Sequence, residues 1–517
     1  MTEVRASTLL AQRPPLSALI GQDTPWDVVV IGGGITGAGI LLEAARRGHR
    51  ALLLEQKDFA WGTSSRSSKM VHGGLRYIAQ GDIRLTRHAL QERERLLDEL
   101  PDLVVRMPYL FAVRTGQFPG RWPLTLVLKL YDWLAGIRDH QWVPRRALLA
   151  HHPLLQPEGL LGAMRYTDAL TDDSRLVIRV LQEACLEGAH ARNYTAVRSI
   201  HRTHPDGLHT LSVHDEIDGR TTAIAARHVF NATGLWADQL SGTPPVVRPQ
   251  RGTHVFVSHA KLPVSECLTF LHPRDQRPVF VFPWKGQTCI GTTDLDHQGR
   301  PFDEPTATEA EIDYLLEVVR HEMPAASLHT QDVLSTMAGV RPIIASGKGR
   351  DPSKERRDHL VWQHDGVISV SGGKLTTFRQ IALDALLAAG LLDRRSHQQA
   401  HGDRAQRCFN HEVTVPLGLN HPLRGAAHGT QFAAHVDWVL QHEMVVHLDD
   451  LLLRRLRIGN VQDTLNPEQL GTVREACTRW LGWQEGTWQQ EWQRYQDILT
   501  HHYRLPVRAA TERVHHG

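Results

Sequence analysis

Gly32, Gly34 and Gly37 in the run GGGITG, with Glu55 closing the later run ALLLE, have the types and spacing that hold a dinucleotide. Gly32 permits a tight turn, Gly34 lets a pyrophosphate approach the backbone, and Gly37 allows close helix packing. The N–H groups at the helix start face the phosphates. A carboxylate at Glu55 accepts hydrogen bonds from both ribose hydroxyls of an adenosine. A glycine turn that merely connects packed elements is the competing reading. Against it, the strand-like DVVVI before the turn, the helical spacing of residues 37–47 and the strand-like RALLLE after them complete a beta-alpha-beta unit. The fingerprint by itself leaves FAD and NAD both open.

The elements that must position this turn recur along the chain. HVFNATG (228–234) is a second strand entering a glycine turn, and VISVSGGKLTTFRQIALDALLAAG (367–390) repeats strand, Gly-Gly turn and helix. A nucleotide-binding domain assembled from separated pieces accounts for all three. PVFVFPWKGQTCIGTTD (278–294) reads as a hairpin with Lys285 and Gly286 in its turn. A chain of 517 residues exceeds one hydrophobic core, which predicts two or three domains. The boundaries read as an N-terminal extension (1–26, a flexible lead), a discontinuous dinucleotide domain (27–100, 166–249, 336–393) and a substrate domain (101–165, 250–335). A linker (394–411), a helical cap (412–506) and a frayed tail (507–517) complete the chain.

Composition sets limits on function. With 41% hydrophobic and 22% charged residues the chain is globular, and a net charge of +2 supplies no overall field for nucleic acid, which is not expected as a partner. Cys185, Cys267, Cys289, Cys408 and Cys477 are widely spaced and form no CxxC pair. They point to a reducing compartment and no cysteine-built zinc site, and no metal is expected. No apolar run reaches the roughly 18 residues of a membrane span, which leaves attachment to a membrane surface open.

The segment GTSSRSSKMVHGGLRY (62–77) closely resembles the flavin-dependent glycerol-3-phosphate dehydrogenases. The resemblance continues in order through YTDALTDDSRLV (166–177), NATGLWAD (231–238), GTTD (291–294), GVRP (339–342), RDH (357–359) and GGKLTTFR (372–379). It implies an α/β fold with a Rossmann-like FAD-binding domain, an antiparallel or mixed-sheet substrate domain and a helical C-terminal domain. It also implies noncovalent FAD and oxidation of sn-glycerol 3-phosphate to dihydroxyacetone phosphate by hydride transfer to flavin. Electrons then pass to quinone, or to oxygen in the related oxidases. A non-catalytic flavin-binding interaction protein and an amine oxidase are the more distant alternatives.

Carried onto this sequence, the resemblance places Thr63, Ser64, Ser68 and Lys69 around the cofactor as donors. The Gly372–Gly373 turn, with Leu375 and Thr376, faces the flavin carbonyl region. Lys374 and Arg76 stabilise charge during reaction, His72 is the general base or the organiser of one, and Tyr77 orients substrate. Arg341 and Arg357 are the main phosphate candidates, since a guanidinium binds phosphate bidentately. Arg251 and His254 in QRGTH stand equally for salt bridging or strand ending, and Asp294 reads as a turn organiser.

The match weakens towards the C-terminus. QHEMVVHLDDLLLRRLRIG (441–459) resembles the family's helical segment, but polar residues 417–430 leave little room for the first cap helices. Residues 121–134, RWPLTLVLKLYDWL, are amphipathic, with Trp122 and Trp133 near the ends and Leu126 and Leu130 expected on one face; one face immersed at a bilayer and an ordinary packed helix are equally good readings. The family implies an anionic membrane surface at the cytoplasmic side of the inner membrane and a quinone as partners, and a homodimer stays open.

Overall fold

The computed structural model describes residues 10, 13–20, 24–75, 78, 83–202, 207–242, 246–299, 303–345, 358–402, 406–425 and 427–506. The apolar run after Pro25 forms the strand Trp26–Ile31, which is the centre of an eight-stranded sheet. It pairs in parallel with Thr221–Asn231 on one side and Ala51–Leu54 on the other. Val367–Gly372 and His190–Arg192 extend the parallel set outwards. Such strands are covered on both faces, which is why they read as continuous apolar runs. Val28, Val30 and Leu53 pack on one face with the helices Ile35–Ala45, Asp173–Leu186 and Phe378–Ala388. Val29, Ile31, Leu52 and Leu54 pack on the other with Leu211, Val213 and Ile224.

The second sheet has ten strands and is mixed. Its antiparallel ladders join Val104–Arg114 to Leu160–Thr171 and Val247–Ser258 to Val333–Ile344, while Cys267–Leu271 runs parallel to Val104–Arg114. The hairpin at 278–294 forms as Pro278–Trp284 and Gln287–Gly291, with Lys285 and Gly286 at positive φ in the turn. The strands Met70–Val71 and Val333–Ile344 also belong to this sheet, although the sequence boundaries place the first and most of the second in the dinucleotide domain.

Two stretches read as unstructured carry structure. In the N-terminal extension, Leu16–Ile20 is a helix with Leu16 and Leu19 buried. Arg13 donates to the carbonyls of Asn193 and Tyr194 and pairs with Asp215 at 2.6 Å, so this part is docked rather than a flexible lead. The polar linker contains the helix Arg394–Gly402. The tail 507–517 lies outside the described residues.

After the linker, the helices Gly429–His442, Pro467–Leu481 and Glu485–Ile498 enclose their own core. Asn466 and Gln469 cap the second of these reciprocally, with Pro467 at its first turn. This helical region is fastened to the dinucleotide domain by buried charge. Arg454 Nε reaches Asp58 Oδ2 at 2.6 Å, and Arg455 meets both oxygens of the same carboxylate at 2.8 Å. Burial pushes the Asp58 carboxyl up, but the two guanidiniums outweigh it and hold its pKa below the usual value.

Replacing Asp58 by Asn leaves two buried guanidiniums without their counter-charge and should cost about 3–5 kcal/mol, read from urea unfolding at neutral pH. The depressed carboxyl contributes fully above the ordinary Asp pKa of about 3.9 and loses its contribution as pH falls through the lower folded value. The gap between wild type and Asp58→Asn should therefore close in acid; a gap below about 1 kcal/mol at neutral pH would mean that the pair is screened.

Candidate active site

Four parallel strands end at one place, and a cavity of about 480 Å³ opens there. Its wall includes Ile31 and Gly32, Leu54 and Glu55, Ala232 and Thr233, and Gly372 and Gly373, the carboxyl ends of the strands. Ligands of parallel α/β sheets bind at this position.

The first glycine turn is fixed by contacts. Gly32 has φ +111, and a Cβ on it would lie 2.6 Å from the Ala232 carbonyl oxygen. A Cβ on Gly37 would lie 1.9 Å from the Gly32 oxygen, so Gly37 serves helix packing and stays off the cavity wall. Gly34 caps the helix Ile35–Ala45 without a side-chain bond of its own, and no acidic residue stands in the first turn. Ser64 Oγ accepts from the Ile35 N–H at 3.0 Å. Glu55 accepts from the backbone N–H groups of Gly33 at 2.6 Å and Lys57 at 2.9 Å. Burial raises its pKa, an effect those two donors partly offset. A helix start with no acidic residue in its first turn, beside a carboxylate held by backbone donors, suits a diphosphate joined to a ribose.

At the far end of the cavity Gly372 and Gly373 both have positive φ. A Cβ on Gly373 would sit 2.5 Å from Ile381 Cδ1, and one on Gly372 would sit 2.6 Å from the Asp358 oxygen. Lys374 follows on the cavity wall, and the turn Leu375–Thr377 leads into the helix Phe378–Ala388. The positive end of that helix therefore points to the cavity. Thr376 Oγ1 accepts from the His72 N–H at 3.3 Å, which ties the HGG loop to the GGK loop.

Arg341 reaches the same wall from the second sheet. Its guanidinium lies 3.0 Å from Asp294 Oδ1 and 3.0 Å from Thr292 Oγ1. Gly252 makes room for it, since a Cβ there would stand 2.2 Å from a guanidinium nitrogen. Asp294 is thus the partner of Arg341 and not merely a turn organiser. Behind cavity-lining Ser68, His254 Nε2 stands 3.0 Å from the serine oxygen. Burial, then Arg341 and Lys69, drive the His254 pKa well below the ordinary imidazole value, so the ring is neutral. Arg251 pairs with Glu311 at 2.9 Å, which settles it as a salt bridge.

Thr63, Ser64, Ser68, His72, Leu375 and Thr376 also line the cavity. Lys69 does not. Its ammonium is fully buried, 2.8 Å from Asp173 and 2.7 Å from the Ser65 carbonyl. Burial and the Arg457 charge lower its pKa to about 8, against the opposing pull of Asp173. Arg76, Tyr77 and Arg357 lie outside the described residues. Sequence reasoning passed over Arg66, which lines the cavity and donates to Tyr503 at 3.1 and 3.2 Å. It also passed over Trp61 and Trp236, whose rings meet at 6.3 Å on the same wall. The available signal was its place inside the run TSSRSS, between residues that line the same cavity.

Fold and site together define a flavin-type oxidoreductase. The profile of the FAD dependent oxidoreductase family matches residues 27–379, and the chain belongs to that family. It is 35% identical over 408 residues to the aerobic glycerol-3-phosphate dehydrogenase of Staphylococcus epidermidis, covering 77% of this chain and 72% of that protein. The structure resembles the glycerol-3-phosphate dehydrogenase of Bacillus halodurans complexed with FAD, with TM-score 0.69, 25% identity and coverage of 94% and 96% of the two chains. It shares its fold with the L-alpha-glycerophosphate oxidase of Mycoplasma pneumoniae, with TM-score 0.56, 20% identity and coverage of 71% and 94%. FAD is the cofactor, and the donor set and glycine contacts of the cavity fit it.

Replacing Gly34 by Leu puts a side chain between Ser64 Oγ, 3.0 Å from the new Cβ, and the helix start. FAD affinity should fall at least tenfold, about 1.4 kcal/mol, with far-ultraviolet circular dichroism unchanged. Full flavin absorbance per chain in this variant at limiting FAD would remove the phosphate assignment from the turn.

Proposed function

We propose that this enzyme oxidises sn-glycerol 3-phosphate to dihydroxyacetone phosphate with FAD as its immediate acceptor and a quinone as the next. The observation that carries the reading is Arg341, a cation oriented by Asp294 and Thr292 on the cavity wall that also holds His72, Lys374 and the Gly372–Gly373 turn. The similarity to aerobic glycerol-3-phosphate dehydrogenases supports it.

When bound, FAD supplies the two-electron acceptor for the alcohol carbon. Gly34, the first helical turn and Ser64 hold its diphosphate, and Glu55 holds its ribose. Arg341 binds the substrate phosphate through charge-assisted hydrogen bonds and so places the secondary alcohol near His72. The His72 ring takes the hydroxyl proton. Lys374 and the helix start after it face the negative charge that develops at the turn.

Quinone use and membrane attachment rest on a second surface. The helix Arg121–Ala135 exposes Trp122, Leu126 and Trp133 by 72–75%, and Phe118 just before it by 79%. These residues lie one or two turns apart on one side, with Lys129 between them. Leu130, one turn on from Leu126, is half-buried and packs its inner side against the second-sheet core. Among the described residues no helix is long and apolar enough to cross a membrane. The exposed face supports peripheral attachment to anionic lipid at the cytoplasmic side of the inner membrane.

Anaerobic sn-glycerol 3-phosphate should bleach the oxidised flavin at concentrations that glycerol cannot match. Arg341→Ala removes charge-assisted bonds of about 1.5–3 kcal/mol each and should raise the half-bleaching concentration by roughly 10- to 100-fold. Equal response to both alcohols, unchanged by the substitution, would reject the phosphate role.

Trp122→Glu with Leu126→Glu should release the protein from anionic vesicles in sedimentation assays while leaving anaerobic flavin reduction intact. Unchanged sedimentation of the folded variant would place the attachment elsewhere.

A further inference from the structure

We propose that Asp384, His397 and His401 form a binding site for a divalent transition-metal ion of the zinc class, separate from the cofactor cavity. None of the three lines that cavity. Asp384 stands on the helix Phe378–Ala388, and HQQAH on the helix Arg394–Gly402 supplies His397 and His401 one turn apart. Residues at this spacing share a helix face, and the two rings lie 4.3 Å apart.

Their nitrogens converge on one oxygen. Nε2 of His397 is 2.5 Å from Asp384 Oδ1, and Nε2 of His401 is 3.3 Å from the same atom. All three ligand atoms lie within 4.8 Å of one another. A tetrahedral zinc ion with bonds of about 2.0–2.1 Å keeps its ligand atoms roughly 3.3 Å apart. The His401 spacing already matches, and His397 needs to withdraw by less than an ångström. His401 Nε2 is buried and faces the carboxylate without making a hydrogen bond. A nitrogen so placed can turn its lone pair to an ion held beside the carboxylate.

The surroundings supply an orienting partner. His359 Nε2 holds the other carboxylate oxygen at 2.8 Å, while its Nδ1 stands 3.3 Å from Asp358. Partners of this kind fix the direction of a ligating carboxylate. The other convergent cluster, Glu183, Glu187 and His411, is met by arginines, which keep their charge whatever binds beside them. Arg46 stands 3.3 and 3.4 Å from its two carboxylates and Arg179 stands 2.9 Å from Glu183, so protein cations already neutralise it. A metal at Asp384 would clamp the second helix of the pair onto the first, whose start faces the cofactor cavity.

The test uses the FAD-loaded protein, stripped with chelator and dialysed against Zn²⁺. One tightly held zinc per chain is expected, with affinity at least about 100-fold lower in His397→Gln and His401→Gln and unchanged in His411→Gln. Co²⁺ added to wild type should give the intense visible bands of a tetrahedral site, a result that depends on no variant folding. Asp384→Asn, with flavin content confirming its fold, should abolish those bands. Absence of tight zinc, or equal zinc binding by wild type and His401→Gln, would overturn the site, as would cobalt bands that persist in Asp384→Asn.

Discussion

The architecture depends on a layer of buried ion pairs under the cofactor cavity. Arg175, Arg455, Arg457 and Lys69 are among the largest fully buried side chains. Each meets carboxylate charge: Arg175 faces Glu443, Arg455 faces Asp58, and Arg457 and Lys69 share Asp173. An ion taken out of water without its partner costs several kcal/mol, so such pairs add little net stability but penalise every wrong docking. The helical C-terminal region can therefore sit on the dinucleotide domain in only one register. Arginine suits this task because its planar fork meets two oxygens at once, as Arg455 does with Asp58.

That layer shapes the cofactor loop. Asp173 accepts from the Ser67 N–H and hydroxyl at 2.9 and 2.7 Å, and Lys69 takes a positive φ to bring its ammonium to the same carboxylate. The loop is pulled inwards at Lys69, while Ser64, Ser67 and Ser68 stay on the cavity wall. Asp173 opens the helix Asp173–Leu186, and Arg457 comes from the C-terminal region. Cavity wall, helix and C-terminal region are thus set by one carboxylate.

This explains what could be read in the sequence. The strand-turn-helix around Gly32–Gly37, the Gly372–Gly373 turn and the hairpin at Lys285 are local, and their backbone requirements are written in adjacent residues. Lys69 looks like a cofactor residue because it sits in a cofactor motif, but its partner Asp173 is 104 positions away. Asp294 reads as a turn residue until Arg341, 47 positions on, folds across Gly252 to meet it. Helical spacing puts Leu126 and Leu130 on one face, but how far each is covered depends on the sheet below: Leu126 is exposed and Leu130 half-buried. The helix at Arg394–Gly402 is polar enough to resemble a linker, and the contacts that order it include buried Ala400 and the histidines facing Asp384.

The exposed helix and the chemical site share more than a chain. Tyr131, on the inner side of the helix Arg121–Ala135, accepts from the Gly73 N–H at 3.0 Å and donates to Asp168 at 2.7 Å. Asp168 is pinned by Arg93 at 2.7 Å, so the tyrosine hydroxyl has little freedom. Gly73 has no room for a side chain, since a Cβ would lie 2.5 Å from Leu90 and 2.7 Å from the tyrosine oxygen. His72 is the next residue, tied on its other side to Thr376. The helix Arg121–Ala135 is therefore joined to the backbone beside His72 through the Tyr131 hydroxyl, which Asp168 holds in place. The two faces of the helix thus differ in kind: the outer carries exposed Trp122, Leu126 and Trp133, and the inner holds a buried, fully partnered hydroxyl against the backbone beside His72.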